Sequence, residues 1–294
     1  MSIETRQLRY FVAVAEELHF GQAAQRLNMT QPPLSQAIQG LEQLLGVALF
    51  HRTTRQISLT AAGVALLPEA KRLLQQVESL PVLTQRAAAG EIGALKLAFV
   101  SIADYSVLPP SLRLFRERHP QVNIELHEAT TDVQLQALEK GSIDVGLMIP
   151  PVPEHLRSLI DYRRLRLEPL MLAIAEHRRK RKAANQLSSY KDLPLVLFPR
   201  KIAPAFHDCI LSCFQQQGLT PEISQEAIQM QTIIALVSAD MGIALVPQSV
   251  SNLKRPGVYY QSLSDIDASV EIGVAWRKDN SSPVLRAFLN LLEE

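Results

Sequence analysis

The residues best placed to do chemistry begin with a short uncharged run, Thr30-Gln31-Pro32-Pro33-Leu34-Ser35-Gln36, with Gln39 one turn further on. Amides and hydroxyls of this kind hydrogen-bond without adding net charge. They suit a base edge or a phosphate, and equally a helix face that meets only water. Arg52 and Arg55 flank Thr53-Thr54 nearby. A second set lies further along: Ser101 to Asp104, Thr130 and Thr131, and Pro199 to Phe206, each following a strand-like segment. Helix N-termini favour carboxylates, and serine and threonine hydroxyls add donors. Arg200 and Lys201 would supply positive charge there, or form an exposed loop pair. Cys209 and Cys213 stand four apart on an apolar helical stripe beside His207, which reads as core rather than a thiol sensor or metal site, since a metal needs further ligands at suitable spacing. The basic run His177-Arg178-Arg179-Lys180-Arg181-Lys182 reads as a solvated loop, with a second nucleic-acid contact as the alternative. No G-x-S-x-G, H-E-x-x-H or G-x-x-x-x-G-K-[ST] occurs, so neither a catalytic nucleophile nor a phosphate loop is expected, and no metal or cofactor.

Composition bounds the rest. With 294 residues, 47% hydrophobic and 20% charged, the chain has room for a small domain beside a larger two-lobed one and little for disorder. A net charge of +1 gives no global attraction to nucleic acid, so any such role rests on placement. Two cysteines without a framework point to a reducing compartment. MSIETRQLRYF has no basic region leading into an apolar run, and no segment holds some eighteen apolar residues without charge. A cytoplasmic protein without a membrane partner is expected.

The positioning elements follow from periodicity. Leu8, Phe11, Val12 and Ala15 form a helical stripe, and FGQAAQRL places Phe20, Ala23, Ala24 and Leu27 on one face before Asn28 and Met29 end it. Thr30 is the expected N-cap of a third helix whose buried stripe is Leu34, Ile38, Leu41 and Leu45, leaving Gln31, Ser35, Gln36 and Gln39 outward; Pro32 and Pro33 fit its first turn. VALFHR and QISLT read as a hairpin, a wing. After Thr60 comes a longer helix in which Ala70, Leu73, Val77 and Leu80 keep the spacing of a seam that meets a partner helix. Pro68 and Pro81 predict kinks or a break. From residue 92 strands alternate with helices, as in a parallel α/β sheet: LKLAFV, a helix at 108–118, VNIELHE, a helix opened by the capping-box pattern Thr131-Asp132-Val133-Gln134, and IDVGLMI. A second set follows: LMLAIA, a helix at 188–193, LVLFP, CILSCFQQQ ended by Gly218, EISQE, a helix at 232–239, and GIALVP. VEIGVAW and a C-terminal helix return to the first lobe. The expected domains are 1–60, a linker at 61–91, and 92–294, with lobe I at about 92–163 and 267–294 and lobe II at about 164–266. A ligand site would lie between the lobes.

The stretch LRYFVAVAEELHFGQAAQRLNMTQPPLSQAIQGLEQLLGVALFHRTTRQISLTAAG resembles the DNA-binding domain of LysR-type transcriptional regulators: the alanine pair, Q-P-P-L-S, L-E-x-x-L-G, L-F-x-R and L-T-x-A-G occur in order and at family spacing. GSIDVGL and MGIALVP resemble its effector domain, and the whole chain looks most like members that control aromatic-compound breakdown or acetoin formation. The resemblance implies an α+β winged helix-turn-helix followed by an α/β two-lobed, periplasmic-binding-protein-like (type 2) effector domain. It implies a bacterial regulator that is no enzyme, binds double-stranded promoter DNA as a homodimer or homotetramer, engages RNA polymerase, and answers to a small carboxylate or polar metabolite. DNA contacts then fall on Thr30, Gln31, Pro32, Pro33, Ser35, Gln36, Gln39, Arg52 and Arg55, with the two arginines on phosphate or the minor groove. Effector contacts fall on Ser101, Ile102, Thr130, Thr131, Ile149, Pro199, Arg200 and Phe206, and dimerisation on Ala70, Leu73, Val77 and Leu80. Ile149 departs from the pattern of relatives that sense carboxylates, which carry an arginine there.

Overall fold

The computed structural model describes residues 2–52, 57–179 and 185–293. The chain divides into two compact units, Met1–Gln85 and Arg86–Glu294.

In the first unit, α1 (Thr5–Glu17), α2 (Phe20–Arg26) and α3 (Gln31–Leu45) are followed by the antiparallel strands β1 (Phe50–Arg52) and β2 (Ile57–Leu59) and by α4 (Ala61–Ala88). Leu8, Phe11 and Val14 of α1 pack against Phe20, Ala23 and Ala24 of α2 and Leu34, Ile38 and Leu41 of α3. The buried face of α1 is wider than its expected stripe: Val14 is fully buried and Val12 only half-buried, because α2 and α3 cover it from two sides. The ring of Phe50 closes this core, 5.5 Å from Phe11 and 6.0 Å from Phe20.

Thr60 starts α4 as expected. Its hydroxyl donates to Ala48 O (2.7 Å) and accepts from the Gly63 N–H (3.1 Å). A Cβ at Gly63 would lie 2.3 Å from the Leu49 carbonyl oxygen, so glycine is what lets the helix start against the wing. The break expected in α4 does not occur: the helix is continuous through Pro68 and Pro81. Burial of Ala70 and Leu74, and the ion pair of Lys71 with Glu16 (2.6 Å), hold the turn after Pro68 to the core.

The second unit is built on a seven-stranded sheet. β3 (Ile92–Phe99) runs parallel to β4 (Gln121–Glu128) and to β5 (Val145–Met148), with α5 (Leu108–Arg118) and α6 (Thr131–Glu139) as crossovers. β6 (Ile160–Ala175) is one 16-residue strand, and β11 (Ser269–Arg277) lies antiparallel between it and β5. Between these two strands in sequence come β7 (Leu195–Leu197), α7 (Pro204–Gln216), β8 (Ile223–Glu226), α8 (Met230–Ser238), β9 (Ala244–Pro247) and β10 (Val258–Gln261). β9 and β10 pair antiparallel with the end of β6, β7 with β8 in parallel, and α9 (Pro283–Leu291) closes the unit. The sheet is therefore mixed, not parallel as its alternation of elements suggested. β6 enters from one lobe and finishes in the other, and β11 returns in the opposite direction beside it, so the pair is antiparallel. The helix expected at 188–193 is a 3-10 segment, Leu187–Tyr190, and β10 had no counterpart in the sequence reading.

Candidate functional site

In the first unit α2, the turn through Asn28 (φ 51°) and α3 form a helix-turn-helix beside a two-stranded wing. Thr30 has the extended backbone of an N-cap, yet its hydroxyl makes no capping bond. The N–H groups such a hydroxyl takes belong to the second and third helical residues, and here those are Pro32 and Pro33, which have none. Thr30 is thereby left exposed at the tip of α3 with Gln31, Pro32 and Pro33. Gln36 and Gln39 are exposed on the side of α3 away from Leu34, Ile38 and Leu41, whereas Ser35, expected outward, is half-buried.

Glu42 was not singled out from the sequence, and it joins α3 to the wing. Its Oε1 accepts from the Leu49 N–H (2.8 Å) and the Phe50 N–H (3.2 Å), and its Oε2 from Arg52 Nη2 (2.9 Å). The Arg52 guanidinium also lies 5.2 Å over the Phe20 ring. Arg52 therefore begins as a brace of the wing base, with its remaining N–H groups toward solvent. Arg55 lies outside the described residues.

On α4 the structure corrects the expected seam. Ala70 is fully buried in its own unit's core, while Leu73, Val77 and Leu80 are 42%, 41% and 50% exposed. Leu73, Val77 and Leu80 follow Ala70 along the same side of the helix, but unlike it they stand free of the unit's core.

In the second unit the strand ends converge on a narrow cleft with about 40 Å³ of internal room, less than an open small-ligand site offers. Ser101, Ile102, Thr130, Thr131, Ile149 and Phe206 all line it, as expected. Pro199 and Arg200 do not. Arg200 is exposed and grips Asp208 with two 2.8 Å bonds; that guanidinium, and then His207, hold the Asp208 carboxyl well below the usual carboxylate range. Lys201 lines an adjoining recess. Ile202 and Ala203 of the expected Pro199 to Phe206 loop line it as well, and Phe198, Ile228 and Gln229, missed in the sequence, complete the wall from the second lobe. LVLFP contained Phe198 as a strand end, but Ile228 and Gln229 sit in a loop without periodicity.

The capping box read at 131–134 is also corrected. Thr130, not Thr131, is the N-cap of α6, with no side-chain cap. The Thr131 hydroxyl donates to Ile149 O (3.2 Å) and accepts from the Ile149 N–H (3.3 Å), tying the helix to the end of β5. Gln134 is fully buried, its Nε2 donating to Ala129 O (2.8 Å) and Leu147 O (3.2 Å). A Cβ at Gly146 would meet its Oε1 at 2.5 Å. Thr130 and Thr131 both line the cleft, so the start of α6, whose first N–H groups have no intrahelical acceptor, stands at its wall.

Cys213 is buried and Cys209 half-buried, packed in the second unit's core. Among the described residues no three His, Cys, Asp or Glu side chains group as a metal site, and no helix is long and apolar enough to cross a membrane.

Residues 5–64 match the family model of the bacterial regulatory helix-turn-helix protein, lysR family, and residues 88–294 that of the LysR substrate binding domain. The chain is 48% identical over 292 residues to the HTH-type transcriptional regulator IlvR of Caulobacter vibrioides, covering 99% of this chain and 98% of that protein. It is 40% identical over 290 residues to the HTH-type transcriptional regulator AlsR of Bacillus subtilis, covering 98% and 95%. The crystal structure of full-length CbnR complexed with its target DNA matches with a TM-score of 0.84 at 31% identity over 99% of each chain. These relatives are transcriptional regulators rather than enzymes. With a helix-turn-helix that presents uncharged hydrogen-bonding side chains and a second unit built around a cleft, the chain belongs to the LysR family: it is a DNA-binding transcriptional regulator with an effector-binding domain.

Proposed function

We propose that this regulator reads its promoter with the exposed N-terminal face of α3 and is controlled by a small carboxylate or polar metabolite held in the cleft of the second unit. The observation that carries the DNA reading is the uncapped tip of α3. Two prolines leave Thr30 without an internal partner, and Gln31, Gln36 and Gln39 stand exposed behind it. A helix entering the major groove tip first brings such groups to base edges and phosphates. Arg52, held at the wing base by Glu42, offers its free N–H groups to the backbone, a contact that fixes register without reading sequence. Arg55 extends the same role.

The cleft supports the effector reading through its mixed lining. Ile102, Ile149 and Phe206 give an apolar body a place, and Ser101, Thr130 and the start of α6 give a carboxylate donors. Leu73, Val77 and Leu80 on α4 carry self-association into a homodimer or homotetramer, and promoter-bound oligomers act on RNA polymerase. Gel shifts with the DNA upstream of the gene test the first step. Gln36→Ala is expected to weaken specific binding by about 1–3 kcal/mol while leaving random-sequence binding in place; equal affinity of variant and wild type for both DNAs refutes the assignment of α3.

A further inference from the structure

The effector cleft does not end at its apolar centre. A second cavity of about 220 Å³ adjoins it and shares Ser101, Glu128 and Gln229 with the first. Its other lining residues are Asp104, Tyr105, Gln231 and Thr232. The contrast in chemistry is large. The first cavity is walled mainly by isoleucine, phenylalanine and alanine; every side chain of the second is polar, and no lysine or arginine lines either one. Asp104 and Glu128 approach from different elements, one after β3 and one at the end of β4. Neither has a hydrogen-bond or ion-pair partner among the described residues. Both act on the Tyr105 phenol, which burial first and these two carboxylates next push up, while its hydroxyl bonds the side chain of Gln231. Two unpaired carboxylates, a phenol and two amides around one chamber present acceptors to whatever enters.

We propose that this chamber is a second subsite of the effector cleft, which takes a cationic ammonium group, so that the effector is a zwitterion with a branched or aromatic body. This rests on the cleft reading above. The apolar body fills the space between Ile102 and Phe206, its carboxylate meets Thr130 and the first N–H groups of α6, and its ammonium donates into the chamber beyond Glu128. An ammonium bonded to carboxylates is a charge-assisted contact, and an effector lacking it leaves the exposed carboxylates of Asp104 and Glu128 facing water as they do now.

Calorimetric titration of the full chain with matched probes tests this: L-valine, isovalerate and isobutylamine, and L-phenylalanine, 3-phenylpropionate and phenethylamine, each to millimolar concentration. The expected result is that at least one amino acid binds about tenfold tighter than its deaminated partner. The double substitution Asp104→Asn with Glu128→Gln then removes that gap by weakening the amino acid, while the deaminated acid, its carboxylate no longer near two like charges, binds as well or tighter, with circular dichroism of the unliganded variant as the folding control. An amine that adds nothing, a gap that survives the double substitution, or no binding by any of the six probes overturns the proposal. The underlying cleft reading fails separately: it is refuted if Ser101→Ala with Thr130→Val leaves every carboxylate probe's affinity untouched, even where the amine gap behaves as expected.

Discussion

Glu42 offers the sharpest test of how α3 and the wing are held together. Its Oε1 takes the two main-chain N–H groups of Leu49 and Phe50, residues 1% and 4% exposed, and its Oε2 takes Arg52. Glu42→Ala strands both N–H groups. A buried donor left unpaired costs about 1–3 kcal/mol, and water reaching the 15% exposed side-chain site recovers part of one, so a loss of about 3 kcal/mol is expected. Glu42→Gln behaves differently, because one carbonyl oxygen can still accept from both N–H groups. What it loses is the charge opposite Arg52, a partly exposed pair worth about 1 kcal/mol, and Arg52→Ala should cost a similar amount. The single tryptophan, Trp276, lies in the second unit, so its fluorescence is blind to this change. Native-state hydrogen exchange of the peptide spanning Gly46 to Arg52 reports it directly. Glu42→Ala is expected to speed exchange there by about a hundredfold, Glu42→Gln and Arg52→Ala by less than about tenfold. Equal exchange in Glu42→Ala and wild type, or a larger effect from Gln than from Ala, refutes the reasoning.

Three further outcomes are expected. Leu73→Glu places a charge in the free stripe of α4 and should reduce the oligomer to monomers by light scattering at low micromolar concentration, since the carboxylate would lose apolar burial and face desolvation; an unaltered mass counts against that face, and Ala70→Glu, which instead wrecks the unit's own core, serves as the contrast. Thr131→Val removes both bonds to Ile149 and is expected to lower the melting temperature as well as effector affinity, whereas Thr130→Val, with no such bonds, should lower affinity alone; equal melting temperatures for the two variants would dismiss the distinction. Burial pushes the Tyr260 phenol up to about 12. A raised folded pKa means its stabilising contribution is intact below pH about 10 and is lost as pH rises toward about 12, so Tyr260→Phe should flatten the alkaline fall in stability by about 1–2 kcal/mol, and parallel curves for variant and wild type would exclude it.

Much of this architecture was legible because its signals are local. The stripes Leu34-Ile38-Leu41 and Phe20-Ala23-Ala24 and the alternating strands after residue 92 depend on periodicity alone. What failed depends on partners distant in sequence. The direction of β6 and β11 is fixed by their meeting more than a hundred residues apart, and nothing in LMLAIA or VEIGVAW encodes it. Thr30 is the N-cap as read but lacks the expected hydroxyl bond, and Thr131 is not a cap at all, for opposite reasons. At Thr30 the very prolines that marked the helix start had removed the donors a cap needs. At Thr131 the hydroxyl and Gln134 found Ile149, Ala129 and Leu147 instead of their own helix ends. Arg200 reads from the sequence as a cleft cation or one of an exposed loop pair, and it is exposed because Asp208 stands eight residues on and claims it. Glu42 lay inside a recognised segment, yet its acceptor role only exists once the wing folds back beside it.

The same geometry says where an effector can act on the second unit. β6 and β11 are the strands the two lobes share, and their ladder runs from Arg277 opposite Ile160 to Ser269 opposite Pro169. Pro169 has no N–H to give, so it leaves a missing donor near the end of this ladder. The next donor, Leu170 N–H, goes to Ala268 O, and from there β6 turns to β9 and β10 as partners. One lobe's sheet thus hands over to the other's at a proline, where a change of angle breaks the fewest main-chain bonds. The cleft residues lie on both sides of that handover: Ser101, Thr130 and Ile149 belong to strands ahead of it, Phe198, Phe206 and Gln229 to elements beyond it. A ligand that bonds to both sets gains most when they approach, and a ligand held by one set alone gains nothing from closure. On the proposed cleft reading, an effector that shifts the lobes is therefore one long enough to touch both walls at once.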